Sequence, residues 1–156
     1  MYTVEVWEQG NRLSGLLRGL LPETVWRGTV FLPAGRCFGE RKPDLAVVSP
    51  QWNGGLMAGD CRCLLIPGNV GTAGGLSAGW VVSYGLDRRD TLTLSAMEPG
   101  KLWSALQREI VTLDGTVVEG QEFPLSNRRE LPPMEALACV GVQLLLGIPP
   151  EGVRLE

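Results

Sequence analysis

The sequence contains no histidine and only two lysines, Lys42 and Lys101. Histidine is the commonest general base and the commonest metal ligand in proteins, so its absence removes most acid–base and metal chemistry. No serine has a histidine partner, and the spacing of the carboxylates brings no two of them together as an acid–base pair. The sequence therefore predicts a non-catalytic protein, with no catalytic residue, no metal site and no cofactor.

Long apolar runs and basic clusters are also missing. No apolar segment approaches the roughly 20 residues needed to span a bilayer, and the first residues lack a basic and then apolar signal region. The formal net charge is −3, and the basic residues are scattered as short pairs. A nucleic-acid surface needs a basic stripe with interleaved aromatic residues. We expect a cytoplasmic protein that binds neither nucleic acid nor membranes.

Cysteine is sparse, and its spacing is uninformative. The four cysteines form no C-x-x-C pair; they are Cys37, Cys61, Cys63 and Cys139. In a strand, Cys61 and Cys63 would point to the same face, where a metal or redox pair is one interpretation. Reduced, unpaired thiols are the usual state in a cytosolic protein and are the interpretation we favour.

What the sequence does contain indicates the fold class. Three largely apolar segments predict strands buried on both faces: residues 44–49, 61–66 and 80–86, of which 44–49 has no charge in its middle. Continuous rather than alternating apolar strands are typical of a parallel sheet between helices. We therefore predict a single α/β domain over residues 1–156, with a mostly parallel sheet covered by helices.

Other segments fit the same class. Leucines at helical spacing predict a helix over residues 13–21 after a strand at 3–7, and a second strand is predicted at 25–32. Asp114-Gly115 predicts a β-hairpin near residues 108–125, and residues 134–146 predict a buried helix. A further strand is predicted at 91–95, whereas 102–110 fits either a helix or an extended segment.

Several segments of the C-terminal half occur in the order seen in one enzyme family. They are Val82-Ser-Tyr-Gly-Leu-Asp87, the Asp114-Gly115 hairpin, Glu122-Phe-Pro-Leu125 and Leu145-Leu-Gly-Ile-Pro-Pro-Glu151. This half of the chain resembles the central domain of the Mur ligases, the ATP-dependent enzymes that add amino acids to UDP-N-acetylmuramic acid. The resemblance implies a P-loop type of α/β scaffold.

The positions that would form the family's ATP site are changed. Gly10-Asn11-Arg12 stands where a P-loop has Gly-Lys-Ser/Thr, whose lysine and hydroxyl bind phosphate and Mg²⁺. Ser49-Pro50-Gln51 replaces the metal-binding acid, and Pro67-Gly68-Asn69 replaces paired aspartates. The resemblance thus implies a degenerate, non-catalytic domain that acts as a binding or protein-interaction module. Its expected partner is another protein or a second copy of the chain.

An alternative function uses the glycine-rich segment 68–75, which follows a predicted strand. Its backbone N–H groups could hold the phosphate of a nucleotide or phosphometabolite, although such glycines also form ordinary turns. Trp52 and Asn53 follow another strand and would lie at the same edge of the sheet, although loop aromatics also occur at subunit interfaces. The candidate ligand-binding residues are Gly68, Asn69, Gly71, Thr72, Gly74, Trp52 and Asn53.

Overall fold

The computed structural model describes residues 1–34, 42–53, 58–70 and 75–156. Its α-helices in these residues are α1 (Arg12–Leu20), α2 (Glu23–Arg27) and α3 (Pro133–Leu145). The strands are β1 (Tyr2–Trp7), β2 (Thr29–Pro33), β3 (Leu45–Val48), β4 (Ala58–Pro67), β5 (Gly75–Tyr84), β6 (Leu92–Glu98), β7 (Lys101–Leu106), β8 (Ile110–Val111), β9 (Val117–Val118) and β10 (Gln121–Ser126).

Eight of the strands form one sheet, in the order β10-β7-β6-β5-β4-β3-β1-β2. The pairings from β2 across to β6 are parallel, and those of β6 with β7 and of β7 with β10 are antiparallel. The predicted α/β class with a mostly parallel sheet is confirmed. β3 is buried along its whole length, as its uncharged sequence predicts.

Helices α1 and α3 pack on one face of the sheet and form the main core. Almost every residue of α3 from Glu135 onward is buried, which agrees with an apolar sequence that nearly surrounds the helix. Gly141 lets α3 approach β4 closely, because a Cβ built there would lie 2.8 Å from Leu65 Cδ2. This contact fixes the height of α3 above the sheet.

The opposite face carries a smaller apolar cluster, formed by Trp7, Ala46, Val48, Cys61, Leu64 and Ile66. Cys61 belongs to this cluster, whereas Cys63 packs in the main core. The prediction that the two thiols share a face is therefore wrong. Strict alternation is interrupted at Arg62, which has no partner in the register between β4 and β5.

The predicted strand at 25–32 is wrong in its first half. Pro22 and Gly28 bound the short helix α2, and the side chain of Trp26 folds back to stack on Phe31 of β2 with ring centroids 5.3 Å apart. The β-like composition of Val25 and Trp26 is thus overridden by the proline before them and by this tertiary contact.

The boundaries of several strands differ from the predicted ones and follow from strand pairing in the sheet. β5 begins at Gly75, five residues before its predicted start, and β4 begins at Ala58, three residues before its predicted start. Segment 102–110, whose sequence fits either a helix or an extended segment, is largely strand, because β7 pairs with β6 and with β10. The predicted Asp114-Gly115 turn is confirmed between β8 and β9, with Gly115 at φ 89°. None of the described helices is long and apolar enough to cross a membrane.

Candidate functional site

The carboxyl ends of the parallel strands meet along one edge of the sheet, where α/β proteins commonly place their ligands. Glu8 follows β1, Ser49 follows β3, Gly68 follows β4 and Gly85 follows β5. Helix α3 begins above this edge, since Met134 of its first turn lines a cleft together with residues that follow β4 and β5.

The N-terminus of α1 is occupied by the chain's own carboxylate. Leu13 N donates to Glu8 Oε2 at 2.8 Å and Ser14 N donates to Glu8 Oε1 at 3.3 Å. The Ser14 hydroxyl also donates to Glu8. Asn11 is the N-cap residue but makes no side-chain cap hydrogen bond. Free N–H groups at a helix N-terminus bind anions, and here Glu8 is that anion.

Arg12, in the first turn of α1, is also committed within the protein. Its Nε donates to Glu135 Oε1 at 2.7 Å, and this hydrogen bond and charge raise the pKa of Arg12. Glu135 belongs to the first turn of α3 and is only 5% exposed. Its second oxygen, Oε2, is buried and accepts no hydrogen bond within the described part of the chain. The ion pair ties the N-termini of α1 and α3 together.

A cleft of about 760 Å³ opens beside these N-termini. Its lining combines loop residues that follow β3, β4 and β5 with the first turn of α3: Pro50, Gly68, Asn69, Ser83, Gly85, Leu86, Asp87, Arg89, Asp90 and Met134. The volume is in the range of small-molecule sites. Its charged residues are two aspartates and one arginine.

Asp90 is the buried charged residue of this cleft, with only 5% of its surface exposed. Its Oδ2 accepts the backbone N–H of Asp87 at 3.1 Å. A Cβ on Gly68 would lie 1.8 Å from Asp90 Oδ1, and one on Gly85 would lie 2.5 Å from Asp90 Oδ2. Asp90 is buried although it lies in a polar turn, because two glycines leave space for its carboxylate between β4 and β5.

Asp87 and Arg89 form the exposed rim of the cleft. The backbone N–H of Arg89 donates to Asp87 Oδ1 at 2.8 Å, and Arg89 Nε lies 3.3 Å from the same oxygen. Hydrogen bonds from the Arg89 backbone and then from its side chain lower the pKa of Asp87. Asp87 and Arg89 therefore pair with each other, and no ion pair among the described residues includes Asp90.

Trp52 and Asn53 lie after β3, at the predicted edge. The Trp52 ring meets Trp7 edge-on, with centroids 5.7 Å apart, and Asn53 accepts a hydrogen bond from the side chain of Gln9. The indole nitrogens of Trp7 and Trp52 are buried and have no hydrogen-bond partner among the described residues. These contacts join the β1 and β3 ends on the face opposite the helices.

The structure brings together part of the predicted site. Gly68 and Asn69 line the cleft, whereas Trp52 and Asn53 lie at the neighbouring strand ends and are not among its lining residues. Gly71, Thr72 and Gly74 lie outside the described residues. Sequence reasoning missed Glu8, Glu135 and Asp90. An acid just before Gly10-Asn11-Arg12 was the available signal for Glu8.

Across the described residues, no group of three or more Asp, Glu or Cys side chains is arranged to hold a metal ion. No protein-family model, curated protein or solved structure matches the chain.

Proposed function

We propose that this chain is a non-catalytic binding domain, built on a scaffold like the Mur ligase central domain, that binds a protein partner or a second copy of itself. The observation that supports this most strongly is the carboxylate of Glu8 on the N–H groups of Leu13 and Ser14. A P-loop holds nucleotide phosphate with the N–H groups of the equivalent strand–turn–helix connection.

Electrostatics at this terminus disfavour a nucleotide. A phosphate placed at the start of α1 would displace Glu8 or meet its negative charge at short range. Arg12, the nearest basic residue in the sequence, already pairs with Glu135. Ser49, where the family's metal-binding acid would stand, uses its hydroxyl to accept the N–H of Gln51 at 3.4 Å. Each group that the resemblance assigns to ATP has another role here or is absent.

The alternative, a phosphorylated ligand at residues 68–75, has less support. Gly68 N donates to the carbonyl of Tyr84 at 2.9 Å, and Val70 N donates to that of Pro67 at 3.1 Å. Two backbone N–H groups of the segment are therefore already used. The adjoining cleft carries Asp87 and Asp90, whose charges would repel a phosphate.

An apolar surface supports the interaction role. Val81, on the central strand β5, is 56% exposed, although strands of parallel sheets are usually covered on both faces. Val81 and Val111 line one shallow pocket, and Val111 pairs with Val117 across the β8–β9 ribbon. Contiguous exposed apolar residues often mark protein-binding surfaces.

The nucleotide part of the proposal is tested by thermal unfolding with ATP, ADP and UDP-sugars, each with and without Mg²⁺. A ligand at a hundredfold excess over its dissociation constant stabilises the folded state by about 2.7 kcal/mol. We expect no saturable shift with any of them. A saturable shift accompanied by ATP hydrolysis would contradict the proposed function.

The interaction part is tested by light scattering during gel filtration. A second copy would double the mass of 16.9 kDa, and Val81→Lys should then restore the monomer, whereas Val30→Lys on the edge strand β2 serves as the control. If the chain is a monomer at all concentrations, the exposed surface of Val81, Val111 and Val117 would be assigned to binding a different protein.

A further inference from the structure

Asp90 is the buried carboxylate of the cleft, with 5% of its surface exposed. No ion pair among the described residues includes it, and Arg89 beside it pairs with Asp87 instead. One backbone N–H serves Oδ2, while Oδ1 accepts no hydrogen bond from a described residue. Buried charges are ordinarily paired because their desolvation is costly. A positively charged group that enters the cleft would pair with the Asp90 carboxylate and offset this desolvation cost.

The rest of the cleft suits a cation on an apolar stem. Asn69 and Ser83 add neutral oxygens that can accept hydrogen bonds, while Pro50, Leu86 and Met134 supply apolar surface. Leu86 is 63% exposed, so its side chain is available to cover an alkyl chain. The partial positive charge of the α3 N-terminus opposes a cation, but it is about half a unit, less than the full charge of Asp90.

We propose that this cleft binds a primary ammonium group carried on an aliphatic stem. Oδ2 already accepts the Asp87 N–H, whereas Oδ1 accepts no hydrogen bond from a described residue. One available carboxylate oxygen favours a point-like ammonium over the two-pronged contact of a guanidinium. The inference rests on the proposed function, since it names the chemistry that a non-nucleotide binding domain recognises. A lysine side chain of a partner and a free alkyl amine share this chemistry.

The test is an NMR titration of the ¹⁵N-labelled chain at pH 7. The probes are n-pentylamine with 1-pentanol as its neutral counterpart, and acetyl-Gly-Lys-Gly-amide with the same peptide acetylated on its lysine. We expect saturable shifts of the Gly68, Gly85 and Leu86 amide signals with the two charged probes only. Tighter binding of the peptide would indicate a protein partner, and tighter binding of pentylamine would indicate a small amine.

Variants locate the site. Asp90→Asn keeps an acceptor for the Asp87 N–H but removes the charge, and it should weaken pentylamine binding at least about tenfold, as expected for a charge-assisted hydrogen bond. Asp60→Asn changes net charge equally at the far end of β4, where Asp60 is solvent-exposed, and should bind as the wild type does. Leu86→Lys, at an exposed position, should also weaken binding by placing a competing ammonium at the cleft.

The remaining outcomes separate the two proposals. Unchanged affinity in Asp90→Asn, or equal shifts with 1-pentanol, would overturn the ammonium site. Should Asp90→Asn fail to fold, unchanged affinity in Leu86→Lys would do the same. If neither an amine nor ATP gives a saturable response, the ammonium site is overturned and the proposed function is not. A response to ATP without one to amines would overturn both.

Discussion

The carboxylate of Asp90 lies so close to Gly68 that a Cβ built on the glycine would be 1.8 Å from Asp90 Oδ1. Gly68 was a candidate for phosphate binding, yet its nearest anionic group belongs to the protein. The glycine is required because any side chain at position 68 would take the space of that carboxylate. Glycine at a strand end therefore has a packing explanation here.

Gly68→Ala should destabilise the fold by about 1–3 kcal/mol, the usual cost of inserting a methyl group into filled space. Gly15→Ala is the matched control, since a Cβ at this helical position has no atom within 4 Å and alanine favours helix by about 1 kcal/mol. Urea unfolding of both variants measures the difference. A Gly68→Ala protein as stable as the wild type would contradict the packing account.

The packing account also predicts that a methyl group at position 68 clashes specifically with the Asp90 carboxylate. In the double variant Gly68→Ala with Asp90→Ala, the added methyl no longer meets a carboxylate. The two substitutions should therefore cost less together than the sum of their separate costs, by about 0.5–3 kcal/mol for residues in contact. Additive costs in a double-mutant cycle would show that another contact limits position 68.

Acid should weaken the fold through Asp114. The Thr112 hydroxyl and then the Thr116 backbone donate to its carboxylate, and these bonds lower the pKa of Asp114 below its ordinary value of 3.8. Because the folded pKa is the lower one, the stabilisation is present above the ordinary value and is lost as the pH falls through the folded pKa.

Urea unfolding at pH 6 and pH 3 measures this loss. Asp114→Asn should show a smaller difference between the two pH values than the wild type. Glu119→Gln, which replaces an exposed carboxylate just after β9, should keep the wild-type difference. An unchanged difference in Asp114→Asn would contradict the assignment.

The described cysteines should be unreactive in the folded protein. Burial raises the pKa of Cys61 to about 11 and that of Cys63 and Cys139 to about 12, so little thiolate exists at pH 8. In a Cys37→Ser background, labelling of the three thiols by a disulfide reagent should proceed at the rate of unfolding. Rapid labelling of any of them without denaturant would contradict their burial.

Local signals in the sequence predicted the elements that depend on local chemistry. The Asp114-Gly115 turn needs a positive φ at Gly115, which glycine adopts without strain, and α3 is apolar enough to be recognised as buried. Helix α2 was missed because Val25 and Trp26 favour strand, while the stacking of Trp26 on Phe31 is visible only in three dimensions. The Pro99-Gly100 turn between β6 and β7, with Gly100 at φ 76°, was a local signal left unused.

The candidate site was predicted less completely, because its contacts join distant parts of the chain. Arg12 and Glu135 are separated by 123 positions, and no spacing rule connects them. The sequence around Asp90 is typical of a turn. The space between Gly68 and Gly85 that holds its carboxylate exists only because β4 and β5 are neighbours in the sheet. The strand-end position of the cleft followed from the sequence through the general rule for parallel sheets, and so did Gly68 and Asn69 in its lining.

Glu8→Ala should destabilise the protein by about 1–2 kcal/mol, since helix α1 loses the acceptor for two of its first N–H groups. Glu23→Ala is a suitable control, because Glu23 is an acid in the first turn of α2 that forms an exposed ion pair with Arg27, worth less than about 1 kcal/mol. Equal losses of unfolding free energy in Glu8→Ala and Glu23→Ala, measured in urea, would contradict the role of Glu8 at the N-terminus of α1.

The central claim, that Glu8 occupies the helix N-terminus where a P-loop would hold phosphate, is tested most directly by adding phosphate. Thermal unfolding of the wild type, Glu8→Gln and Glu8→Ala is followed as inorganic phosphate replaces chloride at constant ionic strength. The account predicts a saturable rise in stability for Glu8→Ala that the wild type lacks, because the freed N–H groups of α1 then bind the anion. An equal rise in the wild type would contradict it.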